Sequence, residues 1–231
     1  MKAIIMAGGE GTRLRPLTCS LPKPLVPLLN KPTMAYTVDL LRRAGIYDIG
    51  VTLAFEPQKI VREFGASLRY FVEDKPLGTA GSVRAARDFL TETFVVISGD
   101  ALTDVDLNQA IAFHRRRGAM ATMVLCHADD PQPYGGVLIE RDGRVKHFIE
   151  KPDWAGVASD LVNTGIYILE PEVLDLIPEG KYDFGRELFP AMVQQGKPLY
   201  GHVMQGYWCD IGDIGAYLGA QWDLLRGRVA R

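Results

Sequence analysis

Cysteine and histidine are scarce in this 231-residue sequence, and their spacing excludes the sites that they commonly build. The cysteines are an odd number without any C-x-x-C pair: Cys19, Cys126 and Cys209. Such a set is typical of reduced thiols in a cytoplasmic protein, and not of a disulfide framework or a zinc site. The four histidines are scattered and show no metal-ligand spacing. We therefore expect a cytoplasmic location and no histidine–cysteine metal centre.

Long apolar runs and an excess of one charge are also absent. No apolar stretch approaches the ~20 residues of a transmembrane helix, and Met1 leads into the strand-like segment KAIIMAGG without the apolar core of a signal peptide. The formal net charge of −2 gives no field that would attract nucleic acid or an anionic membrane. The run RRR at 115–117 is more typical of the solvated end of a helix than of a binding patch. We expect neither nucleic acid nor a membrane as a partner.

The first half of the sequence alternates short apolar runs with amphipathic stretches. These patterns predict strands at 3–6, 48–54, 68–73 and 94–98, and helices at 34–45, 57–65, 81–90 and 107–118. Strands that alternate with helices form a mostly parallel sheet covered by helices on both faces. The sequence therefore predicts an α/β fold.

From about residue 119 the pattern changes to strands joined by turn signals. Strands are predicted at 121–127, 135–141, 145–151, 163–170 and 199–206, and helices at 171–177 and 185–196. No linker, low-complexity segment or internal repeat interrupts the chain, and 47% of its residues are hydrophobic. We predict one domain over 1–231, with a nucleotide-binding half at 1–118 and an inserted substrate-binding half at 119–231.

A glycine-rich turn follows the first predicted strand. Gly8, Gly9 and Gly11 lie at the carboxyl end of that strand, where open α/β sheets bind their ligands. Without a Cβ, glycine lets backbone N–H groups approach a phosphate closely. The spacing matches neither the dinucleotide fingerprint nor the P-loop, so the glycines alone fit a tight turn equally well.

Two cations beside this turn favour the phosphate interpretation. The planar guanidinium of Arg13 can bind two phosphate oxygens at once, which suits a triphosphate. Lys23 lies between Pro22 and Pro24, and prolines hold the local backbone stiff. Either residue alone could be a surface cation, whereas the combination of GGxGTRL with PKPLVP indicates a site for a nucleoside triphosphate.

Two aspartates are candidate metal ligands. Asp100 follows an apolar strand through Gly99, and Asp210 lies in YWCDIGD shortly after another. Mg²⁺ is usually held by one or two carboxylates together with substrate phosphates. An aspartate after a strand is more often a helix cap or a turn residue, but Asp104 and Asp213 suit that role better.

The segments MAGGEGTRLRPLT and LPKPLVPLLNKPTM together resemble the signature of the sugar-1-phosphate nucleotidylyltransferases, also called sugar-nucleotide pyrophosphorylases. The resemblance continues in order through PLGTAGSV (76–83), SGDALTD (98–104), EKP (150–152), NTGIY (163–167) and WCDIGD (208–213). It implies a Rossmann-like, mixed α/β catalytic domain with an inserted sugar-binding lobe. It also implies transfer of a nucleotidyl group to a sugar 1-phosphate with release of pyrophosphate.

The resemblance assigns roles to the charged residues. It places Arg13 on the leaving pyrophosphate, Lys23 on the α-phosphate, and Mg²⁺ on Asp100 and Asp210. The phosphate of a sugar 1-phosphate is already anionic at neutral pH, so no residue has to remove a proton from it. Catalysis then reduces to alignment and electrostatic stabilisation of the phosphates, which agrees with the lack of a Ser–His or Cys–His pair.

The remaining site residues also follow from the resemblance. The predicted nucleotide-binding residues are Ala7, Gly8, Gly9, Gly11, Thr12, Gly78 and Thr79. The predicted sugar-phosphate-binding residues are Gly135, Gly136, Glu150, Lys151, Asn163 and Thr164. Among them, Glu150 is expected to accept hydrogen bonds from sugar hydroxyls and Lys151 to pair with the sugar phosphate.

The loop PLGTAGSV bears on the nucleobase. A thymidylyltransferase more typically carries glutamine soon after the leucine–glycine pair, whereas Thr79-Ala80-Gly81 resembles guanylyltransferases that make GDP-mannose. We therefore expect GTP and mannose 1-phosphate as substrates. The alternatives are a glucose-1-phosphate thymidylyl- or uridylyltransferase, a cytidylyltransferase-like enzyme, or a sensor on the same fold that binds sugar nucleotides without turnover.

The end of the sequence, LLRGRVAR, falls where members of this family often continue into a further domain. Such an extension is absent from this sequence, which we expect to be either a short form or a trimmed part of a longer chain. A homodimer is the favoured oligomeric state.

Overall fold

The computed structural model describes residues 1–132, 134–149 and 159–230. Its strands are β1 Lys2–Met6, β2 Pro27–Leu28, β3 Lys31–Pro32, β4 Asp48–Leu53, β5 Arg69–Val72, β6 Phe94–Ser98, β7 Ala101–Thr103, β8 Ala121–His127, β9 Gly136–Ile139, β10 Val145–Ile149, β11 Leu161–Leu169, β12 Leu199–Val203 and β13 Trp208–Asp210. Its α-helices are α1 Thr33–Arg43, α2 Pro57–Phe64, α3 Gly78–Ala85, α4 Leu107–Arg117, α5 Phe189–Gln194 and α6 Ile214–Leu225.

The chain divides into two compact units. Unit 1 consists of Met1–Pro76, Ile97–Val105 and Gly206–Arg231, and unit 2 of Leu77–Val96 and Asp106–Gln205. The last segment of the chain belongs to unit 1, where β13 pairs with β7. Such a pairing between distant residues leaves no signal in local sequence. The nucleotide-binding half at 1–118 and the substrate-binding half at 119–231 stay a prediction.

Unit 1 contains three strands that pair in parallel. β1 pairs in parallel with β4, and β4 pairs in parallel with β5. Ala3, Ile4 and Ile5 of β1 are fully buried, as expected of a parallel strand covered on both faces. β7 and β13 form a separate antiparallel ribbon in which Ala101 opposes Asp210. This ribbon brings the segments after β6 and before α6 together.

A cluster of buried hydrophobic side chains packs against this ribbon. Its members come from the glycine-loop region, β2, β7, α6 and the end of the chain: Leu14, Leu28, Leu102, Ile211, Ala220, Leu224 and Val229. Asp213 caps the first turn of α6, since its side chain accepts a hydrogen bond from the Ala216 amide at 2.9 Å. The cap role predicted for Asp213 is confirmed.

Unit 2 contains most of the antiparallel pairing. β11 pairs antiparallel with β8 and β9, β10 pairs antiparallel with β9, and β12 pairs in parallel with β8. Tyr167, Phe184 and Phe189 pack against one another with ring centroids 4.9–5.5 Å apart. Burying such aromatic groups stabilises the unit. The predicted α/β class is confirmed, as a mixed sheet with flanking helices.

Three predicted helices differ from the observed elements. α3 begins earlier than predicted because the Tyr182 carbonyl accepts the amides of Ala80 and Gly81, both at 3.0 Å, and so satisfies its first turn. The helix predicted at 171–177 is the 3₁₀ helix Pro171–Leu176. The helix predicted at 185–196 starts as the π-helical turn Phe184–Leu188, and α5 begins anew where Pro190 has no amide to donate. Among the described residues, no helix is both long and apolar enough to cross a bilayer.

Candidate active site

The glycine turn extends from the end of β1. The Ala7 amide donates to the Thr52 carbonyl at 3.0 Å, which continues the β1–β4 pairing for one residue. Gly11 has φ +67°, and a Cβ on it would lie 2.9 Å from the Cβ of Lys23. The Thr18 hydroxyl donates to the Gly11 carbonyl at 2.8 Å. Glycine is therefore required at position 11, and Thr18 holds the turn against the Lys23 segment.

Lys23 lies between the two predicted metal ligands. Its Nζ is 2.5 Å from Oδ2 of Asp100 and 3.7 Å from Oδ1 of Asp210, and only 11% of its side chain is exposed. A 3₁₀ turn, Lys23–Leu25, carries the residue. The Leu25 amide closes this turn on the Pro22 carbonyl at 2.8 Å. The structure thus brings together three residues that are far apart in the sequence.

Asp100 is positioned by its neighbours in the chain and by the β7–β13 ribbon. The Gly99 amide donates to the Met6 carbonyl at 2.9 Å, which fixes the segment beside β1. The Ser98 hydroxyl donates to Oδ1 of Asp100, and the Ile211 amide donates to the Asp100 carbonyl at 3.2 Å. Both carboxylate oxygens of Asp100 therefore have partners, one from Ser98 and one from Lys23.

Arg13 borders the same group of side chains. A Cβ on Gly212 would lie 3.0 Å from Oδ2 of Asp210 and 3.4–3.5 Å from the two Nη atoms of Arg13. The carboxylate and the guanidinium therefore lie on one side of Gly212. Arg13 is exposed, and the neighbouring Leu14 anchors its 3₁₀ turn in the buried cluster. We refer to Arg13, Lys23, Asp100 and Asp210 as the charged cluster.

The charged cluster perturbs the acidity of its members. Burial and the negative charge of Asp100 raise the pKa of Asp210 to about 6, against the opposing charges of Lys23 and Arg13. Burial acts to raise the pKa of Asp100 as well, but the charge of Lys23 and hydrogen bonds from Lys23 and Ser98 outweigh it and lower that pKa. Burial acts to lower the pKa of Lys23, and the two carboxylates outweigh it and raise that pKa. The two carboxylates repel each other and favour additional positive charge.

The donor set fits a hard divalent cation. Asp100 and Asp210 supply carboxylate oxygens, which are the ligands that Mg²⁺ prefers. Within the described ranges, no group of three or more histidine, cysteine, aspartate or glutamate side chains could hold a metal ion. A cation at Asp100 and Asp210 would therefore complete its shell with substrate oxygens and water, as Mg²⁺ commonly does.

The predicted base-recognition loop in unit 2 is held by its own backbone contacts. Gly78 has φ +73°, and a Cβ on it would lie 2.6 Å from the Tyr182 carbonyl oxygen. The Thr79 hydroxyl accepts a hydrogen bond from the Phe184 amide at 2.9 Å. Both residues therefore shape the start of α3, and their contact with a nucleobase stays a prediction.

Asn163 and Thr164 lie on β11, beside an irregularity in its pairing with β8. The Thr164 hydroxyl donates to the Val124 carbonyl at 2.8 Å, and Thr164 is only 2% exposed. The Asn163 amide group donates to the Tyr167 hydroxyl at 2.9 Å, and its oxygen accepts from the Gly165 amide at 3.2 Å. Their sugar contacts stay a prediction, and the Thr164 hydroxyl already donates to a backbone carbonyl.

Glu150 and Lys151 lie outside the described residues, so their predicted roles have no structural counterpart here. Gly135 and Gly136 are described. The Gly135 carbonyl accepts a hydrogen bond from the Asn163 amide at 3.0 Å, and Gly136 opens β9. The turn that contains these two predicted sugar-phosphate-binding glycines is thus hydrogen-bonded to β11, the strand that carries Asn163.

Two supporting residues were missed at the sequence level. Ser98 orients Asp100, and Thr18 fixes the carbonyl of Gly11. Ser98 stands two residues before an aspartate in SGD, which is a local signal that could have been used. Thr18 gives no such signal, because its contact depends on how the turn folds back.

Comparison with known proteins finds relatives over nearly the whole chain. The sequence model of the family described as Nucleotidyl transferase matches residues 2–227. A UTP–glucose-1-phosphate uridylyltransferase from Synechocystis sp. is 40% identical over 252 residues, which covers 100% of this chain and 64% of the relative. A mannose-1-phosphate guanyltransferase from Candida albicans is 38% identical over 224 residues, which covers 92% of this chain and 61% of the relative. The chain thus spans less than two thirds of the length of these curated relatives.

Solved structures show the same architecture. HddC from Yersinia pseudotuberculosis, solved as a complex with GMP-PN, is 25% identical and superposes with a TM-score of 0.83, covering 96% of this chain and 99% of that one. A Bacillus anthracis protein provisionally assigned as a glucose-1-phosphate thymidylyltransferase is 29% identical with a TM-score of 0.85, covering 96% and 94% of the two chains. The family match extends over nearly the whole sequence, and the chain belongs to the nucleotidyl transferase family.

Proposed function

We propose that this protein transfers a nucleotidyl group from a nucleoside triphosphate to a sugar 1-phosphate, giving a nucleotide sugar and pyrophosphate. The observation that carries the proposal is the convergence of Lys23 on Asp100 and Asp210, with Arg13 beside them. Cations and carboxylates placed next to a glycine turn suit a substrate with several phosphates and a counter-ion.

In the proposed reaction, a phosphate oxygen of the sugar 1-phosphate attacks the α-phosphorus of the triphosphate. A new P–O bond forms as the bond from the α-phosphorus to the β-bridging oxygen breaks, and pyrophosphate leaves with the electron pair. The attacking phosphate is anionic near neutral pH, so no general base is required. Binding and alignment of the phosphates supply the catalysis.

Each member of the charged cluster has a role in this scheme. Arg13, which is exposed, binds the departing pyrophosphate through its planar guanidinium. Lys23 is held rigidly by two carboxylates and stabilises charge on the α-phosphate with little reorganisation. Asp100 and Asp210 would hold Mg²⁺, which when bound neutralises phosphate charge and orients the triphosphate.

The proposal assigns the nucleotide and the sugar phosphate to the residues that the resemblance gave. The nucleotide is assigned to Ala7, Gly8, Gly9, Gly11, Thr12, Gly78 and Thr79, and the sugar phosphate to Gly135, Gly136, Glu150, Lys151, Asn163 and Thr164. Among them, Gly9 supports a phosphate role, since a Cβ on it would meet no atom within 4 Å and the turn is open there. A cytoplasmic location is part of the proposal, supported by the free state of the three cysteines.

GTP and mannose 1-phosphate are the favoured substrate pair. The guanyltransferase relative and the neighbour solved with GMP-PN support a guanine nucleotide. The uridylyltransferase relative, at 40% identity, makes UTP with glucose 1-phosphate the second candidate pair. Mannose and glucose differ in the configuration of one hydroxyl, so the sugar has to be identified by assay.

The test is pyrophosphate release with Mg²⁺ over a grid of GTP, dTTP, UTP, ATP and CTP against mannose 1-phosphate and glucose 1-phosphate. The purified chain is compared with Lys23→Met, which removes the central cation, and with Arg116→Ala, an exposed substitution at the end of α4. We expect release with one preferred pair, a large loss for Lys23→Met and normal turnover for Arg116→Ala. Folded protein that binds a nucleotide but releases no pyrophosphate with any pair would contradict the proposal and favour a sensor.

A further inference from the structure

Helix α6 carries apolar side chains on two opposite faces. The inner face contributes Ala220 and Leu224 to the buried cluster of unit 1. The outer face leaves three large apolar residues in solvent: Leu218 at 52%, Trp222 at 57% and Leu225 at 61% exposure. At about 100° per residue these three lie within one narrow stripe. Clustered apolar exposure of this kind marks an interaction surface.

Gly219 leaves a hollow beside this stripe, since a Cβ on it would meet no heavy atom within 4 Å. Gly215, one turn earlier, is also exposed, and a Cβ on it would lie 3.3 Å from Oδ1 of Asp213. The exposed Arg226 continues the same face, with its guanidinium 5.8 Å from the ring centre of Trp222. We call Gly215, Leu218, Gly219, Trp222, Leu225 and Arg226 the outer face of α6. It thus offers a large projecting indole next to a depression that a side chain could fill.

We propose that the outer face of α6 pairs with the same face of a second copy of this chain, as an antiparallel two-fold helix pair. In such a pair, Trp222 of each copy lies over Gly219 of the other, so that projection and hollow match. The glycines allow the two backbones to approach closely. An isologous contact needs a self-complementary surface, and this face contains both halves of the match within one helix.

The charges at the two ends of α6 also complement each other in that arrangement. With Trp222 opposite Gly219, the exposed Asp213 before the first turn comes opposite Arg228 just after the last turn. Arg228 already donates to Asp223 at 2.9 Å but keeps 60% of its side chain exposed, so its guanidinium retains donors for a second carboxylate. Antiparallel helices also place opposite dipole ends together.

The test is sedimentation velocity from about 1 to 100 µM, the range for small helix-pair interfaces. We expect concentration-dependent dimerisation of the unaltered chain. Gly219→Leu fills the hollow and should raise the dimer dissociation constant on the order of tenfold or more. Gly219→Ala adds only a methyl group and leaves most of the hollow open. It is the matched control and should change the dissociation constant much less. Neither change meets an atom of its own chain at the Cβ, so both should remain folded.

A second pair of variants tests the dimer interface without changing Gly219. Trp222→Glu should abolish the dimer, whereas Tyr47→Glu, which alters an aromatic residue of 70% exposure that is not part of α6, should not. A chain that stays monomeric throughout the concentration range overturns the proposal. A dimer that persists in both Gly219→Leu and Trp222→Glu overturns it as well, because the contact must then lie elsewhere. These readouts concern assembly only and do not depend on the proposed activity.

Discussion

The charged cluster of unit 1 and two threonine hydroxyls of unit 2 differ in the interactions that hold them. In unit 1, two carboxylates and two cations are held close together, and the pKa of Asp210 rises to about 6 because of burial and the charge of Asp100. In unit 2, the hydroxyls of Thr79 and Thr164 are paired with backbone groups of Phe184 and Val124. The two carboxylates of the first arrangement repel each other, whereas each hydroxyl of the second is paired with a backbone group.

This contrast distinguishes side chains that are available to bind a ligand from side chains that stabilise the fold. Ionisable side chains that lie close together in a partly buried site and have shifted pKa values are more common at functional sites than elsewhere, so the charged cluster indicates a function. A buried hydroxyl that donates to a carbonyl stabilises the strand that carries it, and a ligand gains little from it. Ionisable groups that are held close together with shifted pKa values are therefore better evidence for a binding role. The presence of a polar residue in a sequence motif is weaker evidence, because its side chain can be used within the protein.

The largest effect is expected for Asp100→Asn, which keeps the shape of the side chain and removes its charge. We expect pyrophosphate release to fall about 10²–10³-fold, since Lys23 loses its closest partner and the proposed cation loses a ligand. Turnover measured across a Mg²⁺ titration, with thermal melting as the folding check, tests this. Asp129→Asn, at an exposed aspartate, is the control. Near-normal turnover of Asp100→Asn would remove Asp100 from the metal site.

Within the glycine turn, one glycine is expected to support the fold and another to bind the triphosphate. Gly11→Ala should lower the free energy of unfolding by about 1–3 kcal/mol, because φ is +67° and the new Cβ meets the Lys23 side chain. Gly9→Ala has open space and should leave stability within about 0.5 kcal/mol while raising KM for the triphosphate. Chemical denaturation and steady-state kinetics measure both. Equal stability of the two variants would show that position 11 does not need glycine.

Thr164→Val tests the role of a hydroxyl that is already hydrogen-bonded within unit 2. We expect a loss of about 1 kcal/mol in the free energy of unfolding, since the buried Val124 carbonyl loses its donor. KM for the sugar 1-phosphate should not change, and Thr164→Ser, which keeps the hydroxyl, should restore stability. A raised KM at unchanged stability would instead give the Thr164 side chain a direct sugar contact.

The smallest expected effect is a pH dependence of the free energy of unfolding, which arises from His114 in unit 2. His114 is buried, with Nδ1 2.8 Å from the Thr122 hydroxyl and Nε2 2.9 Å from the Glu170 carboxylate. Burial lowers the pKa of His114, aided by the charge of Arg115 and opposed by Glu170. The unfolded chain then binds more protons just below pH 6.5, so this contribution to stability is complete above that pH and declines as the pH falls.

Denaturation of the unaltered chain and of His114→Gln between about pH 5 and 7.5 measures that contribution. The decline in stability toward low pH should be shallower in the variant. His202, whose pKa is also lowered by burial and by Arg116, remains in both proteins and accounts for part of the slope. An unchanged slope would show that His114 stays neutral in the unfolded chain as well, or is protonated in the folded one.

Local sequence predicted the strands and helices of unit 1 closely. The observed β1, β4, α1 and α2 lie within one or two residues of the predicted segments, because apolar periodicity and glycine or proline at their ends are local signals. α3 was displaced because the Tyr182 carbonyl, about a hundred positions away, completes its first turn. Elements that depend on a distant partner are those that local patterns miss.

The sequence by itself determined the α/β alternation, the glycine turn and the identities of the four charged residues. These features depend on residue type and spacing along a continuous stretch of chain. Only the tertiary structure decided that Lys23 would lie between Asp100 and Asp210, and that the last segment would return to β7. It also decided that the hydroxyls of Thr79 and Thr164 would be used internally. Pairing over long separations is set by the packing of the whole unit, because each contact is favourable only once the others have formed.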